Sequence, residues 1–325
     1  MQTAFVTGGT GFVGINLVSE LTGQGWAVTC LHRQSSNLDR LRRFPVRLTV
    51  GDLNDEGSLR AAMPESVDAV FHVAADTSSW KPLDGPQTQT NVIGTRNLVN
   101  AALSRRAKRF VLTSTAAAYG RQKGAITEET PSTAEHSWIN YERSKWLSEQ
   151  EVHQGVSRGL QAVIINPCAI FGPFDTSVWG NVFRTIRDGK MKVMPPGAFP
   201  INHSQEVARV HIAAAAHGRL GENYILGGDS VPIAHVFREM AKLLGVALKA
   251  AVVPEFLFVN MARLVAAIAK WQGKEPEITP EIAQIMCGAN PVTNAKAVRD
   301  LGYRPRPLDD CLRDSYQWLK KEGLL

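Results

Sequence analysis

The order of apolar and polar residues divides the chain into two regions. In the first, short apolar runs predict strands, and the segments between them show the period of amphipathic helices. The six predicted strands cover residues 4–6, 27–31, 46–50, 68–75, 109–113 and 160–166. Because strands that alternate with helices are typical of a parallel, doubly wound sheet, the pattern predicts an α/β fold.

The pattern becomes mostly helical beyond Gly172-Pro173. Segments rich in Pro and Gly separate predicted helices at 205–217, 232–244, 255–271 and 309–321. We therefore expect a nucleotide-binding domain at residues 1–172 and a smaller mixed, mostly helical region at 173–325 that binds the substrate. The second region is not expected to be fully independent, because some of its strands and helices can return to the first.

Three glycines stand between the first predicted strand and the first helix. Gly8 suits the backbone angles of a tight turn, Gly11 lets a pyrophosphate approach the backbone, and Gly14 lets the helix pack closely on the strand. The helix N-terminus then offers free N–H groups to the phosphates. This order favours a Rossmann-type dinucleotide site over an ordinary glycine turn. The residues expected to line it are Gly8, Thr10, Gly11, Phe12, Val13 and Gly14.

The end of the second predicted strand bears on the choice of dinucleotide. A site for NAD usually places an acid there to hold the adenosine ribose hydroxyls. In this chain the strand continues into His32-Arg33-Gln34 without an acid. The Arg33 guanidinium suits a 2′-phosphate, so we expect NADP, with NAD as the second choice. The alternative is that Arg33 is a solvated loop residue.

Further cofactor contacts are predicted after the third and fourth strands. Asp52 can accept a hydrogen bond from the adenine amino group, and Leu53 can pack near the ring. The alternative is that Asp55 and its neighbours only cap the following helix. Ala74 and Ala75 are small enough to let the backbone pass close to a cofactor at the carboxyl ends of the strands, where open α/β sheets bind ligands.

Tyr141 and Lys145 are four residues apart on a predicted helix, so their side chains share a face. A free phenol has a pKa of about 10, which a nearby ammonium lowers. Such a phenol can give a proton to a carbonyl oxygen or take one from an alcohol, and the ammonium can hold the nicotinamide ribose. A hydroxyl after the fifth strand, Ser114 or Thr115, would bind the same substrate oxygen. Alone, a Tyr and a Lys at this spacing indicate only packing, but with the nucleotide loop they predict hydride transfer.

Charge and cysteine content exclude other classes. The net charge is +6, but the basic residues are scattered, and the densest cluster, 105–109, falls where a helix ends. Cations suit that end of a helix, so we expect a solvated terminus and no nucleic-acid site. The four cysteines lack metal-ligand spacing, and no metal site is expected. Cys30 and Cys168 lie in apolar strand patterns and are expected to be buried thiols, which fits a reducing cytoplasm.

Neither a leader peptide nor a membrane span is predicted. Met1 leads directly into the first strand, which leaves no room for a signal or transit peptide, and a cytoplasmic location is expected. The most apolar long stretch, Phe256 to Ala269, contains Asn260 and Arg263 and is too short to cross a bilayer. A peripheral contact between this stretch and a membrane stays open.

Together these motifs resemble those of the extended short-chain dehydrogenase/reductases, the epimerase/dehydratase-like group, over essentially the whole chain. The matching segments are 7–14, 51–53, 72–75, 91–95, 113–120, 141–145 and 166–173. In that family the catalytic hydroxyl stands four residues before a Tyr-Gly pair, which carries the role to Thr115. The family more often has Ser at that position, so Ser114 stays the alternative.

The resemblance implies additional properties. It implies cofactor contacts at Thr113, Pro167 and Ile170, beside those of Tyr141 and Lys145 themselves. It also implies a homodimer packed through the helices at 91–106 and 138–155, and a small-molecule carbonyl or alcohol as the substrate.

Four segments narrow the choice of subfamily. Dehydratases of this family have an acidic pair after the catalytic Thr, whereas Ala116-Ala117 stand here, so dehydration is not expected. Sugar-nucleotide epimerases commonly follow their Gly-Pro with basic residues, whereas Phe174-Asp175 follow here. The stretches 207–228 and 294–303 resemble the dihydroflavonol-reductase-like branch, which implies reduction of a ketone or aldehyde on a fairly apolar substrate. A nucleotide-sugar epimerase stays the alternative; a non-catalytic NADP-binding regulator is less favoured, because such relatives typically lack the Tyr or the Lys.

Other residues are candidates for substrate contact. The basic residues of 184–192 could serve a diphosphate, although a solvated helix face is favoured. His136 and His203 are interpreted as loop residues at the surface or in packing, with substrate contact as the lesser option. The aromatic residues that suit an apolar pocket, with ordinary packing as an equal alternative, are Trp80, Trp138, Phe174 and Trp179.

Overall fold

The computed structural model describes residues 1–288 and 290–325. In chain order the strands are β1 (Thr3–Thr7), β2 (Ala27–His32), β3 (Val46–Val50), β4 (Ala69–His72), β5 (Phe110–Thr113), β6 (Ala162–Pro167), β7 (Ala169–Phe171), β8 (Val193–Met194), β9 (Ala198–His203), β10 (Asn223–Leu226), β11 (Ser230–Pro232) and β12 (Ala251–Val252). The α-helices are α1 (Phe12–Gly23), α2 (Glu56–Ala62), α3 (Asp84–Thr88), α4 (Gly94–Ser104), α5 (Asn140–Ser157), α6 (Val178–Arg187), α7 (Ser204–His217), α8 (Ile233–Leu244), α9 (Glu255–Trp271), α10 (Pro280–Met286), α11 (Ala295–Leu301) and α12 (Leu308–Lys321).

The central sheet has seven strands in the order β10-β6-β5-β4-β1-β2-β3. Every neighbouring pair is parallel, so the predicted doubly wound α/β fold is confirmed. Thr7 lies beside Leu31 of β2 and beside His72 of β4, which brings the carboxyl ends of these strands to one edge. The chain runs outward from β1 to β3 and then returns to β4 on the other side of β1. Such a reversal opens a crevice at the carboxyl ends of the two central strands.

The seventh strand, β10, comes from the C-terminal region. Asn223 pairs with Ile164 and Leu226 pairs with Pro167, so β10 lies parallel to β6. The sequence analysis allowed such a return but did not predict this strand. Backbone hydrogen bonds therefore join the two regions of the chain.

Two apolar layers cover the sheet because successive side chains along a strand point to opposite faces. Val6 and Phe71 pack in the layer that contains α1, α7 and α11. Phe5 and Val70 pack in the layer that contains α2, α4 and α5. All four side chains are fully buried. Strands buried on both faces have nearly continuous apolar sequences, which is why their positions could be predicted.

The C-terminal region has an apolar core of its own, built around α6, α8 and α12. A small sheet in the order β11-β9-β7 adds Phe171 and Ile201 to this core. Trp179 is buried and stacks on Phe171 with the ring centroids 4.4 Å apart. Trp179, one of the candidates for the substrate pocket, is thus a core residue.

The basic cluster at 105–109 does more than end its own helix. The Arg109 guanidinium donates hydrogen bonds to the carbonyls of Ala214, Ala215 and Gly218 at the C-terminus of α7. The carbonyls at a helix end have no partners within the helix, and a cation there also suits the helix dipole. The expectation of a merely solvated residue was wrong for Arg109, which joins β5 to α7.

Two other local expectations can be compared with the structure. The long helix expected at 91–106 is present and ends at Ser104, and a π-helical turn at Gln89–Ile93 connects α3 to α4 within it. Cys30 is buried as expected, and burial raises its pKa to about 12, but Cys168 is only half-buried. Cys168 lies in the short connection between β6 and β7 rather than within a strand, so part of its surface stays open.

Removal of the Phe71 ring tests the importance of the layer under α1. The ring is fully buried, with its centroid 6.2 Å from that of Trp26. We expect Phe71→Ala to lower the free energy of unfolding by about 3–5 kcal/mol, because it leaves a cavity in a strand that cannot collapse. The matched control is Val50→Ala, on the outer strand, where the side chain is 58% exposed; there we expect a change within about 0.5 kcal/mol. Urea unfolding of both variants measures the difference, and similar losses would contradict this account.

Candidate active site

The glycine turn after β1 is shaped by close backbone contacts. Gly8 has a φ of +74°, and a Cβ there would lie 2.5 Å from the Ala74 backbone nitrogen. A Cβ on Gly14 would lie 2.0 Å from the Gly8 carbonyl oxygen. Neither position can therefore hold a side chain without movement of the backbone, and the turn lies directly against the end of β4.

The N-terminus of α1 follows this turn and has free hydrogen-bond donors. Gly11 is the N-cap and offers no side chain to the helix, and the first turn contains no acid. The first bond of the helix runs from the Ile15 N–H to the Gly11 carbonyl. The N–H groups of Phe12, Val13 and Gly14 consequently have no partner within the helix. Free N–H groups at the positive end of a helix dipole fit the diphosphate of a dinucleotide.

A chain of hydrogen bonds, not predicted from the sequence, holds the end of β4 against the turn. The Thr95 hydroxyl donates to the Asn91 carbonyl at 2.6 Å, so it accepts from His72 Nε2 at 2.9 Å. His72 Nδ1 then accepts from the Thr7 hydroxyl at 2.8 Å, and Thr7 accepts from the Ala74 N–H at 3.3 Å. This arrangement requires a neutral imidazole, and burial lowers the pKa of His72 to about 3.

Asn91 extends the same network to the helix that carries the predicted catalytic pair. Its amide nitrogen donates to the Asp76 carbonyl at 2.9 Å and to the Ser144 hydroxyl at 3.0 Å. Its amide oxygen accepts from the Asp76 N–H at 2.7 Å. The segment after β4 is thereby bound to α5 at Ser144, the residue that precedes Lys145.

Lys145 is buried, and its Nζ donates to the Thr113 carbonyl at 2.8 Å. Burial lowers its pKa to about 8, although the Glu149 carboxylate opposes the shift. Tyr141 is half-buried; burial raises the pKa of its phenol, and a hydrogen bond with the Thr115 side chain opposes that rise. The lowered phenol pKa expected from the sequence was wrong for the protein itself, because burial outweighs the opposing interaction.

The two candidate hydroxyls after β5 point to different partners. The Ser114 side chain is buried and donates its hydrogen bond to the Glu149 carboxylate. The Thr115 side chain interacts with the Tyr141 phenol and accepts from the Ala117 N–H at 3.2 Å. This geometry favours Thr115 over Ser114 as the hydroxyl available to a substrate.

The remaining cofactor candidates occupy the carboxyl edge of the sheet. Arg33 is exposed just after β2. Asp52, after β3, accepts from the Asn54 N–H at 2.9 Å, while Asp55 caps α2 through the Ser58 N–H as the alternative interpretation expected. The other candidates at this edge are Leu53, Ala75, Pro167 and Ile170, of which Leu53 and Pro167 are buried and Ala75 and Ile170 are half-buried.

Thr113 forms hydrogen bonds through both its backbone and its side chain. Its carbonyl accepts from Lys145, and its hydroxyl lies 2.7 Å from His211 Nε2. His211 Nδ1 lies 2.7 Å from the Val207 carbonyl, so this nitrogen is the donor and Nε2 accepts from Thr113. Burial lowers the pKa of His211 to about 4, which keeps the ring neutral.

Several residues considered for substrate contact pack against other side chains instead. The Phe174 ring centroid lies 5.1 Å from that of Trp318. His203 is the last residue of β9 rather than a loop residue, and its buried ring lies 3.1 Å from an Asp314 oxygen. Trp80 is half-buried and Trp138 is exposed, so these two aromatic residues remain available to a substrate.

The basic residues of 184–192 have local partners. Arg187 and Lys190 lie 2.8 Å and 3.6 Å from the Asp188 carboxylate, and Lys192 donates to the Gly189 carbonyl. These contacts suit the solvated helix face that the sequence analysis favoured.

Comparison with known proteins identifies the family. The model of the NAD dependent epimerase/dehydratase family matches residues 4–227. The chain is 31% identical to a Synechocystis sp. protein called "Putative dihydroflavonol 4-reductase", over 98% of this chain and 95% of that one. It is 29% identical to "Sterol demethylase protein B" of Methylococcus capsulatus, over 100% of both chains. The crystal structure of gox2253 matches with a TM-score of 0.87 and 31% identity, over 100% of both chains.

The chain therefore belongs to the NAD dependent epimerase/dehydratase family. The resemblance to the extended short-chain dehydrogenase/reductases is confirmed, and the Synechocystis relative agrees with the dihydroflavonol-reductase-like branch. Relatives named as reductases and dehydrogenases assign the chain to the oxidoreductases, with a nicotinamide dinucleotide as the cofactor of the family.

The two buried neutral histidines predict how stability depends on pH. Both pKa values are lowered in the folded chain, His72 to about 3 and His211 to about 4, so the unfolded chain binds more protons below pH 6.5. The contribution of the two rings to the free energy of unfolding is complete above that pH. It is lost as the pH falls, by about 1.4 kcal/mol per pH unit for each ring.

The variant His211→Gln isolates this effect, because a glutamine can keep one donor and one acceptor but does not titrate. Urea unfolding is measured at about pH 7 and about pH 5. Between these values the free energy of unfolding should fall less for His211→Gln than for the unaltered chain. His217→Gln is the control, since His217 is exposed at the end of the same helix. An equal fall in all three proteins would contradict a neutral His211.

Proposed function

We propose that the chain is an NADP(H)-dependent carbonyl reductase, or in reverse an alcohol dehydrogenase, with Tyr141 as the general acid or base. One observation carries the proposal. Lys145 Nζ donates to the Thr113 carbonyl at the end of β5, and Tyr141 lies one turn earlier on α5, where the Thr115 side chain acts on the pKa of its phenol. Both contacts lie at the carboxyl edge of the sheet, where the glycine turn also ends β1.

The proton chemistry follows from the pKa shifts. A bound nicotinamide would supply the hydride. Because burial raises the pKa of Tyr141, the phenol is protonated near neutral pH, as a proton donor to a carbonyl oxygen must be. Thr115 can donate to the same oxygen and stabilise the negative charge that develops there. Lys145 is proposed to stabilise the phenolate that remains, because it shares a face of α5 with Tyr141 and a nearby ammonium favours the ionised form.

The preference for NADP is supported by what the arginines near β2 contact. Arg43 forms an ion pair with Glu322 at 2.8 Å, and the Arg40 guanidinium lies 5.2 Å from the centre of the Trp318 ring. Arg33 has no side-chain hydrogen bond or ion pair among the residues that the structure describes. Arg33, which directly follows β2, thus has a guanidinium available to a 2′-phosphate.

The substrate is proposed to be a ketone or aldehyde on a fairly apolar molecule. Ala116 and Ala117 follow Thr115 and provide no carboxylate for water elimination. Trp80 and Trp138 are the aromatic candidates left for contact with the substrate. The protein is proposed to act as a homodimer through α4 and α5, by analogy with the family alone.

Tyr141→Phe tests the mechanism. With NADPH and a panel of aldehydes and ketones, we expect the unaltered protein to consume the cofactor. Removal of the hydroxyl should lower kcat by about 10²–10⁴-fold, because the proton donor is lost. Tyr316→Phe, on α12, is the matched control and should keep full turnover.

Each alternative gives a different result in this assay. Undiminished turnover in Tyr141→Phe would refute the assigned role. An epimerase would convert a sugar nucleotide with no net change in the cofactor. A non-catalytic regulator would bind NADPH but consume none with any substrate of the panel.

Arg33→Ala tests the cofactor preference. The loss of a charge-assisted bond to the 2′-phosphate should raise the KM for NADPH by about tenfold to a hundredfold and leave the KM for NADH nearly unchanged. Arg43→Ala is the matched control, because its guanidinium is already paired with Glu322. If NADPH and NADH were affected equally by Arg33→Ala, the 2′-phosphate would have to be held elsewhere.

A further inference from the structure

Helix α9 exposes an apolar face to solvent. Its opposite face, which includes Phe258, Val259 and Ala262, packs against residues of α10 in a small core. The large apolar side chains that remain exposed are Phe256, Leu257, Met261, Leu264, Val265, Ile268 and Trp271. Soluble proteins rarely expose so many apolar residues side by side, and such a patch marks a contact surface.

The exposed residues form one continuous stripe. Leu257, Met261, Leu264, Ile268 and Trp271 are spaced alternately by four and three residues, so they share one side of the helix. Leu264 is 63% exposed at the middle of the stripe, and Trp271 is 88% exposed at its end. Among the residues that the structure describes, no helix is long and apolar enough to cross a membrane.

The charges beside the stripe are positive. Arg263 and Lys270 are seven residues apart and so lie along the same side of the helix, and Lys274 follows just beyond it. None of these three has an ion-pair partner within residues 1–288 and 290–325. The acid of the helix is Glu255, which is already paired with Arg121 at 3.2 Å and also accepts from Gln284. The next carboxylates, Glu275 and Glu277, come after the helix has ended.

We propose that this face of α9 docks onto an anionic lipid bilayer, with the apolar stripe in the interface and the basic side against the head groups. An apolar face with a Trp and a flank of Lys and Arg is what binds a helix in the plane of such a surface. A second copy of the chain fits less well. A two-fold contact brings the same cations of both copies together, and the helix has no free carboxylate to compensate them.

The docking face lies next to the loops of the candidate active site. Glu255, at the start of α9, is bound to Arg121 in the segment that follows Thr115. Thr279, the N-cap of α10, lies 3.1 Å from the Ser79 hydroxyl in the segment after β4. The start of α9 and the start of α10 are therefore bound to loops that follow β5 and β4. The docking itself does not depend on the proposed reaction, and its test uses no activity.

Binding to vesicles tests the proposal. The full chain is mixed with phosphatidylcholine vesicles, with and without phosphatidylglycerol, and the bound fraction is measured by flotation. We expect binding to the anionic vesicles, weakened by added salt and by Arg263→Gln with Lys270→Gln. Leu264→Glu and Ile268→Glu should each weaken it by about tenfold or more, because a buried apolar side chain is replaced by a charge.

Two controls separate docking from general effects. Leu220→Glu changes an apolar side chain of similar exposure, 48%, in the connection between α7 and β10, and should leave vesicle binding unchanged. Thermal unfolding of every variant shows that the fold is retained, which is expected because the altered side chains are exposed. The fluorescence of Trp271, taken as the difference from Trp271→Phe, should shift to the blue with anionic vesicles.

Four outcomes would overturn the proposal. The first is a lack of binding to anionic vesicles, and the second is equal binding by the chain and its Leu264→Glu variant. The third is a chain that does not bind vesicles and whose Leu264→Glu variant dissociates from dimer to monomer in gel filtration. That result would make the stripe a contact between copies of the chain. Equal binding to vesicles of phosphatidylcholine alone would overturn the choice of an anionic surface.

Discussion

The candidate site depends on the hydrogen bond from Lys145 Nζ to the Thr113 carbonyl. A buried ammonium is costly unless it is bonded, so this contact fixes where the Lys145 side chain can lie. The Thr113 hydroxyl bonds to His211 on the other side of the sheet. The last residue of β5 therefore holds α5 on one face and α7 on the other. Any movement of that strand end would disturb both helices together.

A second polar group on α5 connects the site to the C-terminal region. The buried Glu149 carboxylate accepts hydrogen bonds from Ser114, from Asn166 at 2.6 Å and from Asn223 at 3.0 Å. These donors come from just after β5, from near the end of β6 and from the start of β10. Burial raises the pKa of Glu149, and the three donors and the nearby Lys145 oppose that rise. One helix thus provides the predicted catalytic pair and also fastens the seventh strand of the sheet.

The sequence predicted most of the sheet because its strands are buried on both faces, as Phe5 and Val6 illustrate. It also predicted the glycine turn and the spacing of Tyr141 and Lys145, which depend on local geometry. It could not predict the partners of His72 and Arg109, because those contacts join segments far apart in the chain. For the same reason the sequence could not assign Trp179 to the core, because an aromatic residue near a loop gives the same pattern whether it lines a pocket or packs in a core. The family resemblance favoured Thr115 over Ser114, and the bond between Ser114 and Glu149, which joins residues far apart in the chain, agrees with that preference.

The pairing of β10 with β6 has a consequence for the architecture as a whole. All residues of β6 are buried, so a chain that stopped near residue 172 would present an uncovered apolar edge to its neighbours. An edge of that kind invites pairing between molecules, which is the start of aggregation. Residues 1–172 therefore do not complete the sheet, because the strand that covers the edge of β6 comes from later in the chain.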